Sequence, residues 1–276
     1  MKNRLFGLAI LLVVAVSLLS CGSRGESTPM FVQISDTQLG FITESEDFSP
    51  EVANMERIAA AVNRLRPDFV VFSGDYVQWR TDEAALEGFK QICGLFDEEI
   101  PLYFVPGNHD VGDATPEDVE AFIERYGHDR FVFEGEGYTT IGYNSCVIKS
   151  AAQGEAAEYE WLEAQLAKAS ERNMPITLVA HHPLFVYDVQ EENKGTNIPL
   201  ELRSKYLELF DRYDVDLVLS GHLHCGATGE YEGVRLFTTS AAGRPLGEEG
   251  SGVSIIRPVD GRMEVTFYEI DQLPQH

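Results

Sequence analysis

The sequence predicts an α/β protein built on a parallel sheet. Three short apolar runs, Met30 to Ser35, Phe69 to Phe72 and Pro101 to Val105, each lead into polar residues, Asp36, Gly74-Asp75 and Asn108-His109-Asp110. Amphipathic stretches with a 3.6-residue period lie between them, and strands covered by helices on both faces account for such runs. Composition agrees: 44% hydrophobic and 24% charged residues in a chain of 276 describe a globular protein, not a disordered or multi-span membrane one.

The elements follow in order. Met30 to Ser35 (MFVQIS) is the first strand, and the acidic, unpatterned residues 41–50 form a surface loop. Val52, Met55, Ile58, Ala59, Val62 and Leu65 mark one helix face that stops before Pro67. Phe69 to Phe72 is the second strand, Leu86, Phe89, Ile92 and Cys93 share a face of the second helix, and Pro101 to Val105 is the third strand. Phe131-Val132-Phe133 and Tyr138 to Tyr143 flank Gly135 and Gly137, the pattern of a hairpin. A helix over 156–169 turns Tyr159, Leu162 and Leu166 inward; a strand over 176–180, a helix over 200–213 and a strand over 215–220 follow. The tail holds strands at 234–238, 252–256 and 263–268 and no long helix. With no linker and no fixed-period repeat, the pattern describes one domain with a mixed sheet at its end.

The first 20 residues stand apart. Lys2 and Arg4 precede a 15-residue apolar stretch, Leu5 to Leu19, broken only by Ser17. A spanning helix needs about 20 residues, so this stretch fits an export signal better, with an uncleaved anchor as the alternative. Leu18-Leu19-Ser20-Cys21-Gly22 resembles the lipobox of bacterial lipoproteins. The resemblance implies cleavage before Cys21, lipidation of its thiol, a polar tether over 21–29 and a single domain over 30–276, exported to the cell envelope. Membrane contact is then through the lipid alone.

Charge and cysteine content exclude other classes. Lys plus Arg is 21 against 45 for Asp plus Glu, a formal charge of −24, which offers no footprint for a nucleic-acid polymer. A small anion needs something local and positive, such as metal ions. The domain keeps Cys93, Cys146 and Cys225, an odd number without a CxxC pair, so neither a disulfide framework nor a four-thiolate site is available. Cys93 reads as a core thiol.

Metal-capable residues recur where strands end: Asp36 and Gln38, Asp75, Asn108 with His109 and Asp110, His181 and His182, then His222 and His224. Ligands of parallel α/β sheets bind beyond the carboxyl ends of the strands, so these groups converge on one crevice. Each alone has a plainer reading as a turn or a capped histidine. Five of the seven histidines share this placement, whereas His128 and His276 read as surface residues. A carboxylate can bridge two cations, while imidazole and amide ligate one each. With Asp75 bridging, Asp36, His224 and Gln38 complete one site, and Asn108, His181 and His222 the other. This thiolate-free set of N and O donors suits two ions of Mn, Fe or Zn before Mg. Arg244, in Gly243-Arg244-Pro245, offers a guanidinium for phosphate, with an ordinary loop charge as its plainer reading. Residues 183–199, carrying Phe185, Tyr187 and several acids, are expected to rim the site, and Gln78 and Trp79 to line the cleft.

Asp36-x-Gln38, Gly74-Asp75, Gly107-Asn108-His109-Asp110, Ala180-His181-His182-Pro183 and Gly221-His222-Leu223-His224 together resemble the calcineurin-like metallophosphoesterase superfamily, over about residues 30–270. The resemblance implies a four-layer αββα sandwich, with the middle and C-terminal strands in a second sheet. It implies that Asp36, Asp75 and His224 bind one metal, and Asp75, Asn108, His181 and His222 the other. His109 would contact phosphate or protonate the leaving oxygen, with Asp110 orienting its ring. The first motif departs from the usual Asp-x-His, since Gln38 brings a neutral oxygen; glutamine here is similar to a subgroup reported as Ser/Thr protein phosphatases. The expected activity is hydrolysis of a phosphomonoester or small diester, on a phosphorylated small molecule or phosphoprotein, by a metal-bridging hydroxide. A surface-tethered metal-containing module without turnover is the alternative, and a structural lipoprotein whose histidines merely cap is a third.

Overall fold

The computed structural model describes residues 28–43 and 47–274; the expected signal, Cys21 and all but the end of the tether lie outside them, as does His276. Five strands make the first sheet: β1 (Phe31–Ile34), β2 (Phe69–Phe72), β3 (Leu102–Phe104), β10 (Gly252–Val259) and β11 (Arg262–Glu269), in the order β11-β10-β1-β2-β3. Six make the second: β4 (Phe131–Glu134), β5 (Thr139–Gly142), β6 (Ile176–Val179), β7 (Val215–Ser220), β8 (Ala227–Tyr231) and β9 (Val234–Thr238), in the order β4-β5-β6-β7-β9-β8. Both are mixed. β1, β2 and β3 run parallel, as do β5, β6, β7 and β9, and antiparallel pairings close every edge but that of β3.

The two-residue period of a strand sorts side chains into layers. Phe31 joins Phe69, Val71, Val105, Val179, Leu217 and Leu219 between the sheets. Val32 and Ile34 point the other way, onto Met55, Ile58 and Val62 of α1 (Ser49–Leu65) and Phe89 of α2 (Glu83–Cys93). On the far side, Ile141, Leu178 and Val218 meet Leu162 and Leu166 of α6 (Glu155–Ser170) and Tyr206 and Phe210 of α7 (Leu200–Arg212). The order is helix, sheet, sheet, helix. This corrects the single sheet with a mixed end drawn from hydrophobic patterning. A continuous apolar run shows burial on both faces without telling whether the second face meets a helix or another sheet.

Two helices and one strand went unmarked in the sequence, although Val119, Phe122, Ile123 and Tyr126 recur at helical spacing in the first of them. α4 (Pro116–Tyr126) starts at a reciprocal cap, in which Thr115 accepts from the Asp118 amide and the Asp118 carboxylate accepts back, and it stops at left-handed Gly127. α5 (Ser145–Lys149) is capped by the Asn144 side chain, and β8 is a half-exposed edge. α3 (Asn108–Val111) is a single turn. His128, expected at the surface, is half-buried: its Nε2 accepts the Phe104 amide at 3.2 Å, because β3 is an edge strand with a free N–H. Among the described residues, no helix is long and apolar enough to cross a membrane.

Phe69 stacks on Phe31 at 4.6 Å and meets Tyr103 and Phe131 edge-on. Phe69→Ala should therefore destabilise the domain by about 3–5 kcal/mol in urea unfolding. A loss below about 1 kcal/mol would show that this layer collapses to fill the gap.

Candidate metal centre

The carboxyl ends of β1, β2, β6 and β7 meet along one rim. The His222 amide donates to Asp36 Oδ2 across the two sheets at 3.0 Å, and the Gly221 amide donates to the His181 carbonyl at 2.9 Å. At this rim the chain turns abruptly. Asp36, Gln38, Asp75, His222 and His224 all have positive φ, between 39° and 71°, a conformation that costs a non-glycine residue roughly 1–2 kcal/mol. Five of the residues expected from sequence thus sit in strained backbone. Gly74, at φ 96°, lets the chain pass beside His181, since a Cβ there would lie 2.5 Å from Nδ1. A side chain at Gly107 would strike the Asp75 carboxylate, and one at Gly221 would strike Ser35.

Backbone carbonyls hold the imidazoles. His181 Nδ1 donates to the Ser73 carbonyl at 2.9 Å, His222 Nε2 to Gly195 at 3.3 Å and His224 Nδ1 to Arg244 at 2.6 Å. A carbonyl only accepts, so each ring, when neutral, presents its other nitrogen as a lone pair. Those lone pairs converge. His181 Nε2 lies 3.1 Å from His222 Nδ1, 3.2 Å from Asn108 Oδ1 and 3.1 Å from Asp75 Oδ2. Four acceptors at one point require a proton or a cation among them. Burial opposes protonation of His181, yet Asp75 beside it raises the imidazole to about 9. Burial together with His181 pushes His222 down to about 4.

The carboxylates complete the cluster. Asp36 Oδ2 accepts from the Ser35 hydroxyl at 2.5 Å and the His222 amide, while Oδ1 is buried without a hydrogen bond, 3.4 Å from His224 Nε2. Asp75 Oδ1 accepts the His109 amide at 2.8 Å. Burial alone would raise Asp75, but the imidazoles of His181, His109 and His222 hold it well below the usual carboxylate range. Gln38 is buried and its Oε1 makes no hydrogen bond. Donor atoms of Asp36, Asp75 and His181 all lie within 4.8 Å of one another. Orphaned oxygens beside inward-facing imidazoles fit divalent metal ions.

Other expected residues take different parts. His109 donates from Nδ1 to the Gln78 carbonyl at 2.7 Å, leaving Nε2 free. Asp110 does not orient that ring. Its carboxylate accepts the amides of Asp75, Tyr76 and Gly107 at 2.7, 3.0 and 2.8 Å, tying the second loop to the third, and it is consumed by them. Arg244 acts on His224 through its carbonyl, while its guanidinium lies over Phe41, whose ring meets His224 edge-on. His182 is buried at 4.6 Å from the His222 ring, with Nδ1 3.2 Å from Ser145 Oγ, which also accepts the amides of His181 and His182. Cys93 is half-buried and burial pushes its thiol up to about 12. The 183–199 segment is a braced strap: Arg203 donates to the carbonyls of Val189, Glu191 and Ile198, and Lys149 to Lys194. Sequence reading missed Ser145, Arg203 and the carbonyls of Ser73, Gln78 and Gly195, because a main-chain acceptor has no residue signature.

A two-sheet α/β fold with buried carboxylate, amide and imidazole donors at its strand ends is that of a metal-dependent phosphoesterase. The model of the calcineurin-like phosphoesterases matches residues 29–226, and the chain belongs to that family. It is 30% identical over 267 residues to serine/threonine-protein phosphatase CPPED1 of Mus musculus, covering 89% of this chain and 85% of the relative. It is 29% identical over 232 residues to the 3',5'-cyclic adenosine monophosphate phosphodiesterase CpdA of Escherichia coli, covering 81% and 79%. In fold it is similar to a dimetal phosphatase from Danio rerio, with a TM-score of 0.67 at 12% identity, covering 89% of this chain and 97% of that one.

Asp110→Asn keeps one acceptor oxygen and loses the other. It should destabilise the protein by about 1–3 kcal/mol and lower the metal retained per chain, read by thermal unfolding and elemental analysis. Unchanged values of both would show that these amide contacts do not hold the loops of Asp75 and Asn108.

Proposed function

We propose that this chain hydrolyses phosphomonoesters or small phosphodiesters at a dinuclear centre, and that it belongs to the Asp-x-Gln subgroup similar to the Ser/Thr protein phosphatases. One observation carries the reading: the inward lone pairs of His181 and His222, 3.1 Å apart, meet Asn108 and Asp75 oxygens at one point. Asp75, Asn108, His181 and His222 would hold one ion. Asp36, Asp75, His224 and the amide oxygen of Gln38 would hold the other, more weakly because that oxygen is neutral. Manganese, iron or zinc suits these donors better than magnesium. Bound ions supply positive charge for the phosphate and acidify water.

The protein's own part is positional. His109, fixed through Nδ1–H by the Gln78 carbonyl, directs Nε2 toward the phosphate and, as the imidazolium, gives the Nε2 proton to the leaving oxygen. The name of CPPED1 supports phosphoproteins within the substrate class, and that of CpdA supports a small diester.

His109→Ala should retain two ions by elemental analysis and lower kcat by about 10²–10⁴-fold. Asp75→Asn should lose both ions. Wild type that binds two ions yet turns over no ester would leave a tethered binding module as the reading, and an unchanged rate in His109→Ala would remove that ring from the chemistry.

We also propose export and lipidation at Cys21, supported by the basic start, the apolar stretch and Ser20-Cys21. Mass analysis of the membrane-extracted N-terminus should find an acylated Cys21; an intact Met1 would refute it. The domain should be soluble once residues 1–21 are removed.

A further inference from the structure

The loop from Asp75 to α2 is buried at Tyr76 and Val77, and then presents Trp79 with 65% of its surface exposed. This exposure is not fraying. The Gln78 amide donates to the Leu39 carbonyl at 3.0 Å, and the Trp79 carbonyl accepts the Asp82 amide at 2.9 Å, so main chain on both sides of the indole is fixed. The indole meets the His109 ring edge-on, with centroids 6.4 Å apart, and the Gln78 carbonyl holds that same ring from Nδ1. Trp79 therefore stands beside the group that faces the departing oxygen. Next to it, the Arg80 guanidinium is paired with Asp118 at 2.7 Å and brings no free charge to the indole.

Two further exposed apolar side chains stand at the mouth, among the charged residues of the 183–199 strap and Glu248. Of seven exposed large apolar residues among those described, Trp79, Tyr187 and Leu246 lie on segments that touch the centre. The Leu246 amide donates to the His224 carbonyl at 2.7 Å, and the strap bearing Tyr187 supplies the Gly195 carbonyl to His222. An aromatic leaving group gains ring contact and burial against Trp79, whereas an aliphatic polyol gains neither.

We propose that Trp79 forms the leaving-group subsite and selects esters of aromatic alcohols over esters of aliphatic polyols; this rests on the phosphoesterase reading above. The test compares kcat/KM of the metal-loaded enzyme on 1-naphthyl phosphate and on glycerol 2-phosphate. Trp79→Ala should lose about five- to tenfold on the naphthyl ester and less than about twofold on the glycerol ester, with Trp79→Phe restoring most of the loss. Taking the ratio of variant to wild type for each ester removes their difference in intrinsic reactivity. Equal losses on both, or none on either, would overturn the subsite. Wild type that cleaves neither ester would instead count against the phosphoesterase reading, and the subsite is then read by binding. The chain has two tryptophans, so Trp161→Phe, which changes a ring lying under Arg130, leaves Trp79 as the sole indole. Benzylphosphonate should quench its fluorescence at lower concentration than methylphosphonate; equal responses would refute the proposal.

Discussion

Asp36 and Asp75 stand fully buried at the ends of neighbouring parallel strands, and the cost of keeping two carboxylates away from water governs everything around them. Each divides its oxygens in the same way. One accepts main-chain amides, from His222 for Asp36 and from His109 for Asp75. The other faces an imidazole nitrogen across a shared space. Such a division leaves negative charge that only a cation or a proton can offset. The imidazoles are turned lone pair first by carbonyls behind them, so the centre is organised for a cation before one arrives.

Much of this was legible. Apolar runs located every strand of the two parallel cores, and the motif residues at their ends are the ones the structure brings together. Gln38 was legible as a departure, and its Oε1 is buried without a hydrogen bond. The second sheet came from family resemblance and not from patterning, because the outer faces of β5, β6 and β7 are as apolar as the inner ones. Asp110 was misread for a related reason. Its position beside His109 in sequence suggested a ring contact, whereas the turn of α3 carries its carboxylate to the amides of the preceding loops.

What stayed illegible is mostly main chain. Ser73, Gln78, Gly195 and Arg244 act on four histidines through their carbonyl oxygens, and any residue has one. The strained backbone is hidden in the same way. A positive φ at Asp, Asn or His is tolerable and therefore unremarked in a sequence, yet at His222 and His224 it aligns two rings from a four-residue motif.

The strap over 183–199 carries a consequence for how the enzyme can change. Arg203 and Lys149 grip it by the carbonyls of Val189, Lys194 and Ile198, so the side chains at those three positions are not read by either cation. Substitution is cheap at exposed Lys194 but not at Ile198, which is buried in the core, and insertion is not cheap: one added residue displaces Gly195 by up to about 3.6 Å and takes its carbonyl away from His222. The segment is thus constrained in length, and free in spelling only where its side chains are exposed, as at Glu192, Asn193 and Lys194. A mouth can be re-cut on such a frame, residue by residue, while the metal chemistry beneath it stays the same.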